Sequence, residues 1–192
     1  MHRAARKSAA GTLTLPMKKI FVGTALFIAG ALALGGANAF FSYTNKMSFC
    51  TSCHTMQWNF EEYKKTVHYK NASGVQAICS DCHVPHSFAT KLYAKIVAVK
   101  DIYHEILGTV DTKEKFERHK WEMANRVWDR LKATDSRECR TCHDFKNMDL
   151  SSQSRRARKK HSAAEEKGET CIDCHHGIAH SEPDPPLDDI EL

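Results

Sequence analysis

No cysteine stands outside four short motifs, no stretch alternates like a strand, and no charge falls between Ile20 and Phe41. Each absence excludes something. Without period-two alternation the chain reads as mainly α, with no β-architecture. With every cysteine locked into a pair two residues apart, a conventional disulfide framework is disfavoured, because such close pairs form strained, redox-active rings more readily than structural staples. An uncharged run of about 22 residues is too long and too apolar for an ordinary surface helix. The basic residues are not interleaved with aromatics on a recognisable module, so nucleic acid is not an expected partner.

What is present is a repeat. Cys50-Thr-Ser-Cys53-His54, Cys79-Ser-Asp-Cys82-His83, Cys139-Arg-Thr-Cys142-His143 and Cys171-Ile-Asp-Cys174-His175 together use all eight cysteines. Two thiols at this spacing suit two thioether bonds to porphyrin vinyl groups, and the adjacent imidazole suits the iron. A zinc ribbon also uses Cys-x-x-Cys pairs, but has no use for a histidine behind each second cysteine. Four covalently bound haem c groups are therefore the expected cofactors, and attaching them calls for haem-attachment machinery during maturation.

The run from Ile20 to Phe41 would extend about 33 Å as a helix, enough to cross a bilayer core of about 30 Å. Arg3, Arg6, Lys7, Lys18 and Lys19 precede it, and the next charge after it is Lys46. That asymmetry puts residues 1–19 in the cytoplasm and the rest on the far side. The location implied is the inner membrane of a bacterium, single-pass, with the haem domain in the oxidising periplasm that covalent haem attachment requires. Ala37-Asn38-Ala39 resembles a signal-cleavage site, but a cleavable signal has a shorter apolar region, so a retained anchor is favoured. Gly23, Gly30, Gly35 and Gly36 would let a second copy approach closely, giving a homodimer, although no two of them form a Gly-x-x-x-Gly pair.

Residues 42–180 are one domain's worth of chain, in which four haems leave little room for a conventional core; porphyrin faces must supply it. The whole reads as a single transmembrane helix followed by a small helical and loop domain built around the haems. Helices are expected over Gln57–Tyr69, over about His86–Leu107 (an apolar stripe of Phe88, Leu92, Ile96, Val99, Tyr103 and Ile106), from Asp111 or Thr112 onward with Glu114 in a capping box behind Asp111, and over Gln153–Lys167 up to Gly168. The Phe88–Ile106 stripe and a second one on the following helix, Phe116, Met123, Val127 and Leu131, are expected to pack on haems. The tail 181–192 is acidic and Pro-rich and reads as disordered. The formal charge of +5 is offset by haem propionates, about eight negative charges in all. Arg155, Arg156, Arg158, Lys159 and Lys160 are expected to pair with them or to be solvated, with docking of an acidic redox partner the alternative.

The stretches CTSCHTM at 50–56, CSDCHVPH at 79–86, LGTVDTKEKFERH at 107–119, SRECRTCH at 136–143 and CIDCHHGIAH at 171–180 closely resemble the NapC/NirT family of membrane-anchored tetrahaem quinol dehydrogenases, which includes NrfH and CymA. The resemblance covers about residues 15–180, and the length and the 107–119 stretch favour the NapC-like branch over NrfH. His176 departs from it, standing where a lysine is usual, and SEPDPP replaces a more basic ending.

The resemblance implies oxidation of menaquinol or ubiquinol from the membrane quinol pool and transfer of electrons to a periplasmic terminal reductase, nitrate reductase being favoured, in anaerobic respiration. It also implies the iron ligands. His83, His143 and His175 supply one face of three haems; His180 is taken onto the second haem, His161 onto the third and His68 onto the fourth, with His86 as competitor. Met56 is too near His54 to reach the opposite face of the first haem, so if it binds it displaces His54 and leaves the other face open. Asp101 and Lys95 match polar residues near the first haem and are the candidate proton acceptor and hydrogen-bonding cation. Two other classes compete: a terminal multihaem reductase of a small nitrogen or sulfur oxyanion, and a passive electron wire without a quinone site.

Overall fold

A computed structural model describes residues 17–186. The expected cytoplasmic segment up to residue 16 and the end of the acidic tail, 187–192, lie outside the described residues. Among the described residues there are helices and turns but no strands. Two units are distinct, one ending at Tyr43 and one beginning at Thr44.

The described part of the first unit is helix α1, Met17–Thr44, whose last residue opens the second unit and which extends beyond the uncharged run at both ends. It is long and apolar enough to cross a membrane. Phe21, Leu26, Phe27, Leu32 and Leu34 are all exposed. A helix apolar on every side has no polar face to give to water, so a nonpolar surround is its stable environment.

The second unit contains α2 (Met47–Cys50), α3 (Met56–Tyr63), α4 (Cys79–His83), α5 (Phe88–Val97), α6 (Val99–Ile106), α7 (Lys113–Ala133), α8 (Arg137–Arg140) and α9 (Arg155–Lys167), with 3₁₀ turns at Phe145–Asn147, Leu150–Ser152 and Cys171–Asp173. Several bounds differ from expectation. The helix expected to Tyr69 ends at Tyr63, because Lys65 and Thr66 close three-residue turns and Tyr63 Oη donates to His68 O (2.9 Å) and to Ala77 O. The apolar stripe is interrupted at Ala98, where the Asp101 amide bonds three residues back (3.0 Å) and tightens one turn between α5 and α6. The cap of α7 is Thr112, whose Oγ1 accepts the Lys115 amide (3.3 Å); Asp111 takes Lys115 Nζ (2.6 Å) instead. α9 starts behind a Ser154 cap and stops at Gly168, at φ +66°.

The polypeptide buries little that is apolar. Among the described residues of this unit, Tyr63, Phe116, Leu131 and Ile172 are the buried hydrophobic side chains, beside Thr44, Thr55, Ser80, Lys120, Ser136 and Glu138. Phe88, Leu92, Ile96, Val99, Tyr103 and Ile106, the expected packing stripe, are all exposed in the polypeptide. A domain of this length ordinarily buries far more. What the chain provides instead is a set of polar clips. Lys120 Nζ donates to Glu62 Oε1 (2.6 Å) and Ser181 Oγ (2.7 Å), and the Ser181 amide donates to Glu62 Oε2 (2.9 Å), tying α3, α7 and the segment after His180 together. Ser136 is wholly buried at φ 47°, and its Oγ accepts the Ile172 amide (3.1 Å). A left-handed non-glycine residue costs of order 1–3 kcal/mol, held here by the link it makes between the third and fourth motifs.

The turn after α6 has a strict backbone requirement. Gly108 sits at φ +65°, and a Cβ there would lie 2.9 Å from Asp111 Oδ2. Lys115 Nζ fixes both ends of the turn, through Gly108 O (3.1 Å) and Asp111. Gly108→Ala is predicted to cost about 1–3 kcal/mol and to lower the thermal midpoint followed by circular dichroism; an unchanged midpoint would show that the turn adapts freely.

A candidate multihaem centre

Each Cys-x-x-Cys pair is shaped by the two residues inside it. In the second and fourth motifs the inner aspartate reaches back to the chain just before the first cysteine: Asp81 Oδ2 accepts the Ile78 amide (2.8 Å), and Asp173 Oδ2 accepts the Thr170 amide (2.8 Å). In the first and third, hydroxyls bond to preceding carbonyls: Thr51 Oγ1 to Met47 O (3.0 Å), Ser52 Oγ to Phe49 O (2.7 Å) and Thr141 Oγ1 to Glu138 O (2.6 Å). These bonds curl each motif into one tight turn. Lys132, at the end of α7, holds Asp173 at 2.7 Å and anchors the fourth.

The motifs neighbour one another in chain order. The Cys50 thiol is pulled down to about 6, chiefly by the neighbouring Cys79 thiol, which is itself pushed up by Cys50 and by burial. Burial raises Cys82 to about 11, with a further push from Cys139 and Cys142, and Cys139 in turn is raised by burial and by Cys171. Four sites thus form a continuous series.

Three of the motif histidines face a second imidazole. Ring centroids are 6.2 Å apart for His83 and His180, 6.2 Å for His143 and His68, and 6.0 Å for His175 and His161. Two imidazoles on opposite sides of one metal ion, with bonds of about 2 Å each, have centroids about 6 Å apart. The distant histidine of each pair also gives its other nitrogen to an oxygen: His180 Nδ1 to Asn59 O (3.2 Å), His68 Nδ1 to Ile178 O (3.3 Å) and His161 Nδ1 to Gln153 Oε1 (2.6 Å). Such a bond places the hydrogen on Nδ1 and leaves the Nε2 lone pair for a metal, the usual outer support of a ligating histidine. Burial, with His180 and Arg130 nearby, pushes His83 down to about 4, and burial lowers His180 as well; both rings are therefore neutral, as ligands must be. Around His83 and His180 lies an open cleft, whose lining includes Cys79, Cys82, Met56, Phe60 and Tyr63. The residues present fit a covalently tethered, doubly ligated haem.

Two partners differ from those the resemblance implied: His68 faces the third motif and His161 the fourth, the reverse of the expected order. Chain order gives no guide here, because α9 carries His161 onto the turn of the fourth motif while the segment after α3 brings His68 to the third. His86 is exposed and, among the described residues, makes no ring contact with a motif histidine.

The first motif is unlike the others. His54 Nε2 donates to Asp111 O (2.9 Å), and its Nδ1 lies 3.4 Å from Glu105 Oε1. Glu105 Oε2 accepts Thr55 Oγ1 (2.6 Å). Met56 is partly exposed and lines the cleft of the second motif. Lys95 donates to Thr44 O (3.0 Å) and is close enough to Cys50 for their charges to interact; burial pulls its ammonium down. Asp101 is exposed on α6, one helical turn before Glu105, so the two carboxylates share a face. Glu105 escaped sequence reasoning, since its partners lie some fifty residues away; its i+4 spacing from Asp101 was the one available signal. The cations Arg155, Arg156, Arg158, Lys159 and Lys160 are exposed on α9 and form no ion pair among the described residues.

Residues 14–185 match the NapC/NirT cytochrome c family, N-terminal region. The chain belongs to this family. It is therefore a c-type cytochrome that carries covalent haem c and works in electron transport. A "putative tetraheme cytochrome-c type" of Allochromatium vinosum is 56% identical, covering 98% of this chain and 99% of that protein. The cytochrome c-type protein NapC of Escherichia coli K12 is 46% identical, covering 86% and 85%, and the denitrification system component NirT of Stutzerimonas stutzeri is 48% identical, covering 82% and 79%. Among solved structures, a chain of the cytochrome c nitrite reductase NrfHA complex bound to the HQNO inhibitor is similar at 25% identity and a TM-score of 0.46, covering 86% of this chain and 93% of that one.

The pairing makes a spectroscopic prediction for this cytochrome. His161→Ala is expected to abolish the same low-spin electron paramagnetic resonance signal as His175→Met, and His68→Ala the same signal as His143→Met. The opposite correspondence would reinstate the order implied by the resemblance.

Proposed function

We propose that this cytochrome oxidises quinol beside its first motif and passes electrons through four haems to a periplasmic terminal reductase. The observation that carries this reading is the difference between motifs: three pair their histidine with a second imidazole, whereas His54 is turned to Asp111 and Glu105. Doubly ligated centres suit electron transfer and nothing else. A centre without a second imidazole leaves room for a substrate.

The haem, when bound, supplies reversible one-electron chemistry at iron, whereas a quinol releases two electrons and two protons. The protons fall to the chain's own residues. Asp101 is the proposed base, taking a proton from the quinol hydroxyl, and Lys95 the proposed donor to a quinol oxygen, poised at the Cys50 end of the domain. The six residue-to-residue steps from Thr44 to Cys50 span at most about 21 Å, so the first motif is tethered near the end of the apolar helix whatever the arrangement of the two units, within reach of a membrane-dissolved donor. Met56, two residues past His54, is the proposed sulfur ligand of the first iron. His83 with His180, His143 with His68 and His175 with His161 grip the other three. Retention of α1 with the N-terminus in the cytoplasm completes the proposal, with nitrate reductase as the favoured acceptor and the names NapC and denitrification component NirT among the relatives as its support.

Asp101→Asn keeps the shape and removes the base. Loss of a positioned base costs about 10²–10⁴-fold, so haem reduction by a quinol analogue in detergent is predicted to slow by that factor while dithionite still reduces every haem. Lys95→Ala is expected to weaken quinone-inhibitor binding with little change in haem spectra. Normal quinol-driven rates in both variants would place the site elsewhere.

A further inference from the structure

We propose that the outward face of α9 is the docking surface for an acidic electron-accepting protein, which it holds beside the fourth motif; this rests on the periplasmic acceptor just proposed. The helix carries Arg155, Arg156, Arg158, Lys159 and Lys160 in its first two turns, and no carboxylate stands between Ser154 and Glu165. Such an arrangement opposes helix formation. The positive end of the helix dipole lies at the N-terminus, where cations are disfavoured. Arg155 with Lys159, and Arg156 with Lys160, are like charges one turn apart, which repel. None of the five forms an ion pair among the described residues. Charge that works against its own helix and finds no partner within the chain points to a partner outside it.

The geometry separates this surface from the haem site. Ala157, His161 and Ala164 share one half-buried face, and the His161 ring lies 6.0 Å from that of His175. At about 100° per residue, Arg155, Arg156, Lys159 and Lys160 span an arc of about 140° centred opposite His161, and all four are exposed. Arg158 stands about 60° from His161, so it is the one of the five on the side that a haem held by His161 and His175 would occupy. The other four remain for a partner, and their chemistry selects its class. α9 has no large apolar residue, whereas a helix that lies on a lipid surface needs an apolar face to bury. Nor does it carry an aromatic ring of Phe, Tyr or Trp on which nucleic-acid bases could stack. Carboxylates on a protein surface fit, because guanidinium and ammonium groups pair with them and complementary charge guides encounter more than it tightens the complex. A carrier that must release its acceptor after each transfer needs that kind of contact. The step itself moves one electron from the reduced cytochrome to the acceptor, which is reduced by one, with no bond or proton changing place.

The test uses the full-length, haem-loaded protein in detergent, reduced with dithionite and desalted so that the quinol step is bypassed. Its oxidation is followed by stopped-flow with two one-electron probes, plastocyanin as an acidic acceptor and mitochondrial cytochrome c as a basic one. The plastocyanin rate is expected to fall as salt is raised. Arg155→Gln, Arg156→Gln, Lys159→Gln and Lys160→Gln combined are expected to slow it about 10–100-fold at low salt and to weaken poly-L-glutamate binding measured by calorimetry, without slowing cytochrome c. Lys65→Gln with Lys70→Gln, two exposed cations elsewhere, should leave both rates as they are. The thermal midpoint of the combined variant should hold or rise, because the charges removed oppose the helix. Equal plastocyanin rates in native and combined-variant protein, or equal slowing by the Lys65 and Lys70 pair, would overturn the docking surface. Loss of the fourth-centre low-spin signal in the combined variant would also overturn it, by giving the cations to the haem. Lys159 and Lys160 should react alike with an amine reagent in nanodiscs of phosphatidylglycerol and of phosphatidylcholine; protection by the anionic lipid would assign α9 to the membrane instead. Quinol-driven reduction enters none of these measurements, so the Asp101 and Lys95 variants judge the underlying reading separately.

Discussion

Opposed imidazoles, one from a Cys-x-x-Cys-His motif and one from far along the chain, are the contact on which the rest of the domain depends. Each pair joins segments that little else connects: His83 with His180, His143 with His68, His175 with His161. Around them the polypeptide buries only a handful of apolar side chains. The macrocycle between two rings therefore has to provide the apolar surface whose removal from water drives folding. The helices act as brackets. α3 carries Met56 and the Asn59 carbonyl, α9 carries His161, and α7 holds the fourth motif through Lys132 and the His180 segment through Lys120.

Much of the protein was legible from residue spacing because its chemistry is local. A thioether tether and its proximal imidazole lie within five residues, so four motifs announce themselves without any tertiary information. The apolar run from Ile20 and the cap-to-glycine signal of Ser154 and Gly168 are equally local. What was not legible is long-range. His68 and His161 came out exchanged because a distal ligand is chosen by how helices cross, not by the order of residues. Glu105 was invisible for the same reason, its partners Thr55 and His54 lying on the other side of three helices. Where local preference and tertiary demand differ, at Tyr63 and Ala98, the helices ended sooner than their periodicity suggested.

The serial contact of the motifs has a consequence for electron flow. Cys50 meets Cys79, Cys82 feels Cys139 and Cys142, and Cys139 feels Cys171, so a path that enters at the first motif and leaves at the fourth follows chain order. The two ends of this series are built differently. The first motif is bordered by Lys95, Glu105 and Asp111; the fourth lies beside α9, with five exposed cations in its first two turns.

Everything here turns on whether the matured chain holds four haems by covalent bonds. The most direct measurement is the intact mass of the purified protein after denaturation, with haem-stained gels alongside. A mass greater than the polypeptide's by four haems is the predicted result. A zinc-loaded protein, or fewer than four haems in fully matured material, would contradict it.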